Sequence, residues 1–152
     1  MALIQISDPD KDKPVKKQFS VGIDLGTTNS LIAESVDKEV TFFKEDDSEL
    51  LPSVIYESNN KLLVGHANGS ESIKSVKRLM GLSSNQASAI NFENVNLDLE
   101  DDLPLIEIGN NKLSAIELSS TILRHLRTIA EKSKNSVIDS AVITVTAYFN
   151  DT

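Results

Sequence analysis

Val21-Gly22-Ile23-Asp24-Leu25-Gly26-Thr27-Thr28-Asn29-Ser30 (VGIDLGTTNS) is the stretch on which the reading of this chain turns. Val21, Ile23 and Leu25 alternate with Gly22, Asp24 and Gly26, the period-two pattern of a strand with one apolar face. Gly26-Thr27-Thr28-Asn29 reads as a turn and Ser30–Val36 (SLIAESV) as the return strand. Asp24 puts a carboxylate into an otherwise apolar strand, which is costly to bury without a partner. Gly26 permits a tight turn and a close approach of backbone to a ligand. Thr27, Thr28 and Asn29 add hydroxyl, amide and backbone donors at the tip. Such a tip suits phosphate oxygens, with Mg2+ between them and Asp24. On pattern alone an ordinary hairpin with a capping aspartate explains the same residues, because turns favour these residue types. The segment does not follow G-x-x-x-x-G-K-[ST], so a phosphate site here is a different cradle from the P-loop.

Working outward, Glu39–Lys44 (EVTFFK) reads as a third strand and Glu45-Asp46-Asp47-Ser48 as a polar turn, which makes an antiparallel meander. A second region opens near Leu51-Pro52-Ser53. There Val54–Glu57 and Lys61–Val64 flank Ser58-Asn59-Asn60 as a short hairpin. In Ser70–Met80 (SESIKSVKRLM), Ile73, Val76, Leu79 and Met80 recur at helical spacing, and Gly81 suits a C-terminal stop. Residues 83–102 are polar and acidic and read as loop. Leu103–Ile108 with Asn110-Asn111 suggests another small hairpin.

The best helix begins at Ser114. Ser114 and Glu117 have the S-x-x-E capping-box spacing, and Leu118, Ile122, Leu126 and Ile129 follow along one face. Arg124, Arg127, Lys132 and Lys134 enrich its second half, where they complement the helix dipole. Ser140–Val145 (SAVITV) is apolar and β-branched, as expected of a strand buried on both faces. The sum is an α/β half-domain.

Composition limits the function classes. The chain has 152 residues, 39% hydrophobic and 25% charged, enough for about one domain with its own core. No stretch approaches the roughly 20 apolar residues of a membrane-spanning helix. Residues 1–18 alternate acid and base around Pro9 and Pro14, lack the apolar run of a secretory signal, and read as a mobile tail. The absence of cysteine excludes disulfides and thiolate metal sites and fits a cytoplasmic protein. At a net charge of −8, with its 15 basic residues scattered, the chain is no general nucleic-acid binder. His66 and His125 stand alone, without ligand spacing.

Lys77-Arg78 is a second constellation. A lysine can bring a point positive charge to a terminal phosphate and stabilise charge that develops during transfer. On residue type alone, a solvated helix face is the simpler account of the pair.

VGIDLGTTNS, LPSV, SVKRLMG and AVITVTAYFND occur in the order and setting seen in the DnaK-type chaperones, the seventy-kilodalton heat-shock family. The resemblance spans Phe19 to Asp151. The opening MALIQIS and the wording of SVKRLMG are most similar to the HscA-type branch, which serves iron–sulfur cluster assembly. The resemblance implies an actin-like ATPase (ribonuclease H-like) fold: half of a nucleotide-binding domain, with mixed sheets and flanking helices. Residues 19–152 would then form lobe I. Subdomain IA would take about 19–52 and 112–152, and subdomain IB about 53–111.

By the same resemblance Asp24 orients waters on Mg2+ and helps to hold K+. Gly26, Thr27, Thr28 and Asn29 meet the β- and γ-phosphates of ATP or ADP, and Lys77 reaches the γ-phosphate. Tyr148, Asn150 and Asp151 match a stretch near the face used by the J-type (HscB-like) cochaperone. An iron–sulfur scaffold protein (IscU-like) would be bound through a substrate domain beyond residue 152. Membrane and nucleic acid are not expected partners. Thr146 stands where the family has proline, which restores an N–H and a freer φ. With one wall of the cleft in these residues, little ATPase activity is expected of the 152-residue chain by itself. Two other readings stay open from the hairpin alone. One is a sugar or acetate kinase half-domain of the same superfamily, and the other is a non-catalytic interaction module.

Overall fold

The alternation around Asp24 becomes strand β1 (Gln18–Asp24) in the computed structural model, which describes residues 18–67, 71–90, 92 and 95–144. Val21 and Ile23 are buried on one face, and Gly22 and Asp24 are exposed on the other. The return strand β2 (Asn29–Val36) pairs antiparallel with β1, and β3 (Glu39–Phe42) pairs antiparallel with β2. The turn between β2 and β3 is Asp37-Lys38, both left-handed, the geometry that matches the twist of a two-residue hairpin. Asp46 and Asp47 adopt the same geometry inside the Glu45–Ser48 bridge, so the expected polar turn forms. β4 (Leu51–Pro52) returns to pair with the start of β2.

The last strand, β11 (Val137–Thr144), lies parallel to β1 at the sheet edge, giving the order β11–β1–β2–β3 with β4 on β2. Here the sequence expectation fails. Ser140–Val145 was expected to be buried on both faces, but residues 139–144 are exposed, with Val142 at 73%. Apolar, β-branched composition reports strand propensity. Whether a neighbour covers the strand depends on its place in the sheet, and among the described residues β11 has one neighbour.

Two smaller sheets follow. β5 (Ile55–Ser58) and β6 (Lys61–Val64) form the expected hairpin around left-handed Asn59 and Asn60, and β7 (Ser72–Ile73) adds to β5. β8 (Asn96–Asp98), β9 (Leu105–Ile108) and β10 (Asn111–Ser114) form the other sheet, with Gly109-Asn110 as the β9–β10 turn. The helix expected over Ser70–Met80 does not form among its described residues. Ser75 is left-handed (φ 58°), which ends any regular run, and Val76–Leu79 is a single 3-10 turn. Ile73 on β7 and Val76 and Leu79 on the turn are all buried, and the Val76–Leu79 spacing of three is the 3-10 period as much as the helical one. Gly81, at φ 76°, follows the turn. The supposed loop at 83–102 holds α1 (Ser84–Ser88), capped by Ser83 and Gln86, as well as β8.

Helix α2 (Ala115–Lys134) forms as expected, with both halves of the Ser114–Glu117 capping box made. The Glu117 carboxylate accepts from the Ser114 backbone N–H at 2.8 Å, and this bond holds its pKa below the ordinary glutamate value. Leu118, Ile122 and Leu126 are fully buried with Ala115 and Ala130, and Ile129 is half-buried. This face packs on β2 and β11 of the large sheet, on β6 and β10 of the small ones, and on the 3-10 turn, so one helix closes a single core. Left-handed Asn135 ends the helix, and Lys134 pairs with the buried carboxylate of Glu34 on β2.

Candidate functional site

The turn between β1 and β2 lies at the end of two inner strands of the large sheet, and the structure gathers most of the expected residues around it. Asp24, the last residue of β1, is exposed rather than buried, which removes the desolvation cost raised by its apolar neighbours. Its partner is Thr144, opposite it in the β1–β11 register. The Thr144 hydroxyl donates to Asp24 Oδ1 at 2.5 Å. The second carboxylate oxygen has no protein donor among the described contacts.

Gly26 is a steric necessity. A Cβ at this position would lie 1.9 Å from the backbone oxygen of Asn29 and 3.1 Å from its carbonyl carbon. The turn therefore folds back on itself more tightly than any residue with a side chain allows. The Gly26 N–H donates to Ser30 Oγ at 3.2 Å. Thr28 and Asn29 are exposed and Thr27 is half-buried, so the tip presents its polar groups outward.

Lys77 arrives from the 3-10 turn, and its Nζ donates to the carbonyl of Leu25, the residue between Asp24 and Gly26. The fold thus carries this lysine across 52 positions of sequence to the root of the hairpin. Arg78, its neighbour, lies elsewhere, with its guanidinium 5.4 Å from the centre of the Phe92 ring. Tyr148, Asn150 and Asp151, together with Thr146, lie outside the described residues.

Two contributors escaped the sequence reading. Ser53 N–H donates to the carbonyl of Thr28 at 2.8 Å, and Ser53 Oγ lies 2.8 Å from Ser30 Oγ. Thr144 is the other. The motif words LPSV and AVITVT hold both residues, but nothing in local periodicity shows which turn they face.

His125 is not free. Its Nε2 lies 2.9 Å from both carboxylate oxygens of Glu45 and pins the turn after β3 to α2. A cavity of about 420 Å3 lies beside that pair, lined by Leu51, Tyr56 and His66 among others. No helix among the described residues is long and apolar enough to cross a membrane.

The family model described as Hsp70 protein matches residues 20–152. The chaperone protein HscA homolog of Pasteurella multocida is 38% identical over 166 residues, an alignment covering 99% of this chain and 26% of that protein. The HscA homolog of Histophilus somni (strain 129Pt) is 37% identical over 164 residues, and that of Rickettsia bellii 34% over 157, with the same coverages. The fold is therefore that of an actin-like ATPase, as half of its nucleotide-binding domain. The chain belongs to the Hsp70 family. It spans about a quarter of the length of these relatives, 26% in each case. The family match sets aside the kinase reading that the hairpin alone left open.

Proposed function

We propose that these residues are one wall of the nucleotide site of an ATP-hydrolysing chaperone of the HscA type. The observation that carries this reading is Lys77 at the root of the hairpin, bonded to Leu25 beside Asp24 and Gly26. Lys77 is half-buried beside the glycine turn, where its point positive charge is available to a terminal phosphate. Exposed donors at Thr27, Thr28 and Asn29, and a turn into which no Cβ fits, suit the close approach of phosphate oxygens.

The roles follow from the chemistry. Thr27, Thr28 and Asn29 hold the β- and γ-phosphates through hydroxyl and backbone donors. Asp24 would orient waters on Mg2+, which usually keeps several of its waters when bound, and would help to hold K+. When bound, Mg2+ neutralises phosphate charge. Lys77 supplies positive charge where the γ-phosphoryl group separates, so catalysis is positioning and electrostatics.

The subdomain division is proposed as IA, about 19–52 and 112–152, and IB, about 53–111. It is supported by the membership of the five-stranded sheet, whose strands all come from the first set. For the whole protein we propose maturation of iron–sulfur proteins in the cytoplasm. An IscU-like scaffold protein would be its client, and an HscB-like J-type cochaperone would stimulate hydrolysis at a face that includes Tyr148, Asn150 and Asp151.

The test is a chimera in which residues 18–144 replace the matching segment of the Pasteurella multocida HscA homolog. The expected result is MgATP hydrolysis stimulated by cochaperone and scaffold peptide. Lys77→Ala should lower kcat by about 100-fold or more and leave MgATP binding within about tenfold. An unchanged kcat in Lys77→Ala would return Lys77 to an ordinary surface residue. Hydrolysis without stimulation would remove the HscA reading alone.

A further inference from the structure

Ser30 and Ser53 are the two buried hydroxyl residues next to the hairpin, at 1% and 3% exposure. Together they make a short chain of contacts under the tip. Gly26 N–H donates to Ser30 Oγ at 3.2 Å, Ser30 Oγ meets Ser53 Oγ at 2.8 Å, and Ser53 N–H donates to the Thr28 carbonyl at 2.8 Å. The tip is thereby held at both Gly26 and Thr28 by one residue that is not part of the hairpin. Ser53 also stands at a junction, because the chain there leaves β4 of the large sheet for β5 of the next.

We infer that Ser53 is a positioning residue for the phosphate hairpin, acting on Gly26 through the Ser30 hydroxyl. The inference rests on the nucleotide reading above and adds a device to it. Buried hydroxyls must find partners, and here each finds the other. Ser30 Oγ already accepts from Gly26, so its orientation is fixed only while Ser53 holds its other side. A turn that has to present several donors to phosphate gains from being fixed before the ligand arrives, since no ordering is then required on binding. The second grip, Lys77 on the Leu25 carbonyl at the root of the hairpin, also comes from the 53–111 stretch.

The experiment is amide hydrogen exchange by NMR on the 152-residue chain, read at Gly26, with Ser53→Ala. Exchange at Gly26 should rise about threefold to tenfold while strand β1 and helix α2 keep their protection. Ser53→Thr, which keeps the hydroxyl, should restore the slow rate. Ser20→Ala serves as the control, because it removes a similar hydroxyl pair (Ser20–Ser140, 2.7 Å) far from the tip, and it should leave Gly26 unchanged. If Ser53→Ala fails to fold, Ser53→Cys keeps the volume with a weaker donor and should give a smaller rise.

No change at Gly26, or a rise spread evenly over the whole chain, overturns the inference. Excess MgATP added to the chimera, with and without Ser53→Ala, separates the two readings. Shifted amides at Gly26–Asn29, diminished in Ser53→Ala, support the positioning role. Equal shifts in the two proteins overturn that role and leave the nucleotide reading standing, whereas unshifted amides in both overturn the nucleotide reading and leave the brace to the exchange result.

Discussion

Gly26 is the residue at which geometry leaves least freedom. Its would-be Cβ meets the backbone of Asn29, which cannot rotate away as a flexible side chain would. Gly26→Ala should therefore force the tip to open, at a cost of about 1–3 kcal/mol, the usual penalty for an overpacked site. A thermal melt of the 152-residue chain should show Tm lowered by several degrees. In the chimera the same change should abolish hydrolysis, because the displaced donors no longer converge on phosphate. An unaltered melt would mean that the turn relaxes at little cost. The contrast with Thr144 shows what a sequence discloses at this scale. Glycine in a strand-to-turn position announces a conformational demand locally. Thr144 bonds Asp24 from 120 positions away, and only the parallel register of β1 and β11 brings it there.

Elements obey the same division. Helix α2 was legible from Ser114 to its basic end because its signals are local: a capping box, an apolar stripe at helical spacing and a favourable dipole. The Ser83–Gln86 box before α1 was as readable, but it stood in a polar stretch too short to show periodicity. The stretch around Lys77 misled because Ile73, Val76 and Leu79 fit a helix, whereas left-handed Ser75 breaks it. The cap on α2 also has a pH signature. The Ser114 N–H lowers the Glu117 pKa below its usual 4.5 in the folded chain. A carboxylate depressed on folding stabilises the folded state above its unfolded pKa, and the effect is lost as pH falls through the lower folded value. Melting profiles of the chain and of Glu117→Gln should therefore differ at neutral pH and converge only once pH has fallen below the depressed Glu117 pKa. Ser114→Ala should lower stability by about 1 kcal/mol at neutral pH. Profiles that stay parallel at all pH values would show that the carboxylate charge contributes nothing to the cap.

For the whole molecule, the decisive feature is that its large sheet is covered unevenly. Helix α2 buries one face through Leu118, Ile122 and Leu126, and the same helix reaches both small sheets. The two lateral edges of the β11–β1–β2–β3 path are exposed among the described residues. Val142 and Ile143 on β11 are 73% and 41% exposed, and Val40 on β3 is 59% exposed. An edge strand offers unpaired N–H and C=O groups, and apolar side chains beside them favour pairing with another strand. The charge of −8 opposes self-association, but salt screens that repulsion and leaves the apolar edge unaffected. The 152-residue chain should therefore associate as its concentration rises, and more so at high salt, measured as weight-average mass by sedimentation. Val142→Lys puts a charge on the β11 edge and should reduce the association without lowering Tm, since Val142 is mostly in solvent. Equal masses for the two proteins at every concentration would mean that this edge makes no intermolecular contact. Retained association with an unchanged salt response would move the contact to β3, where Val40→Lys is the corresponding substitution.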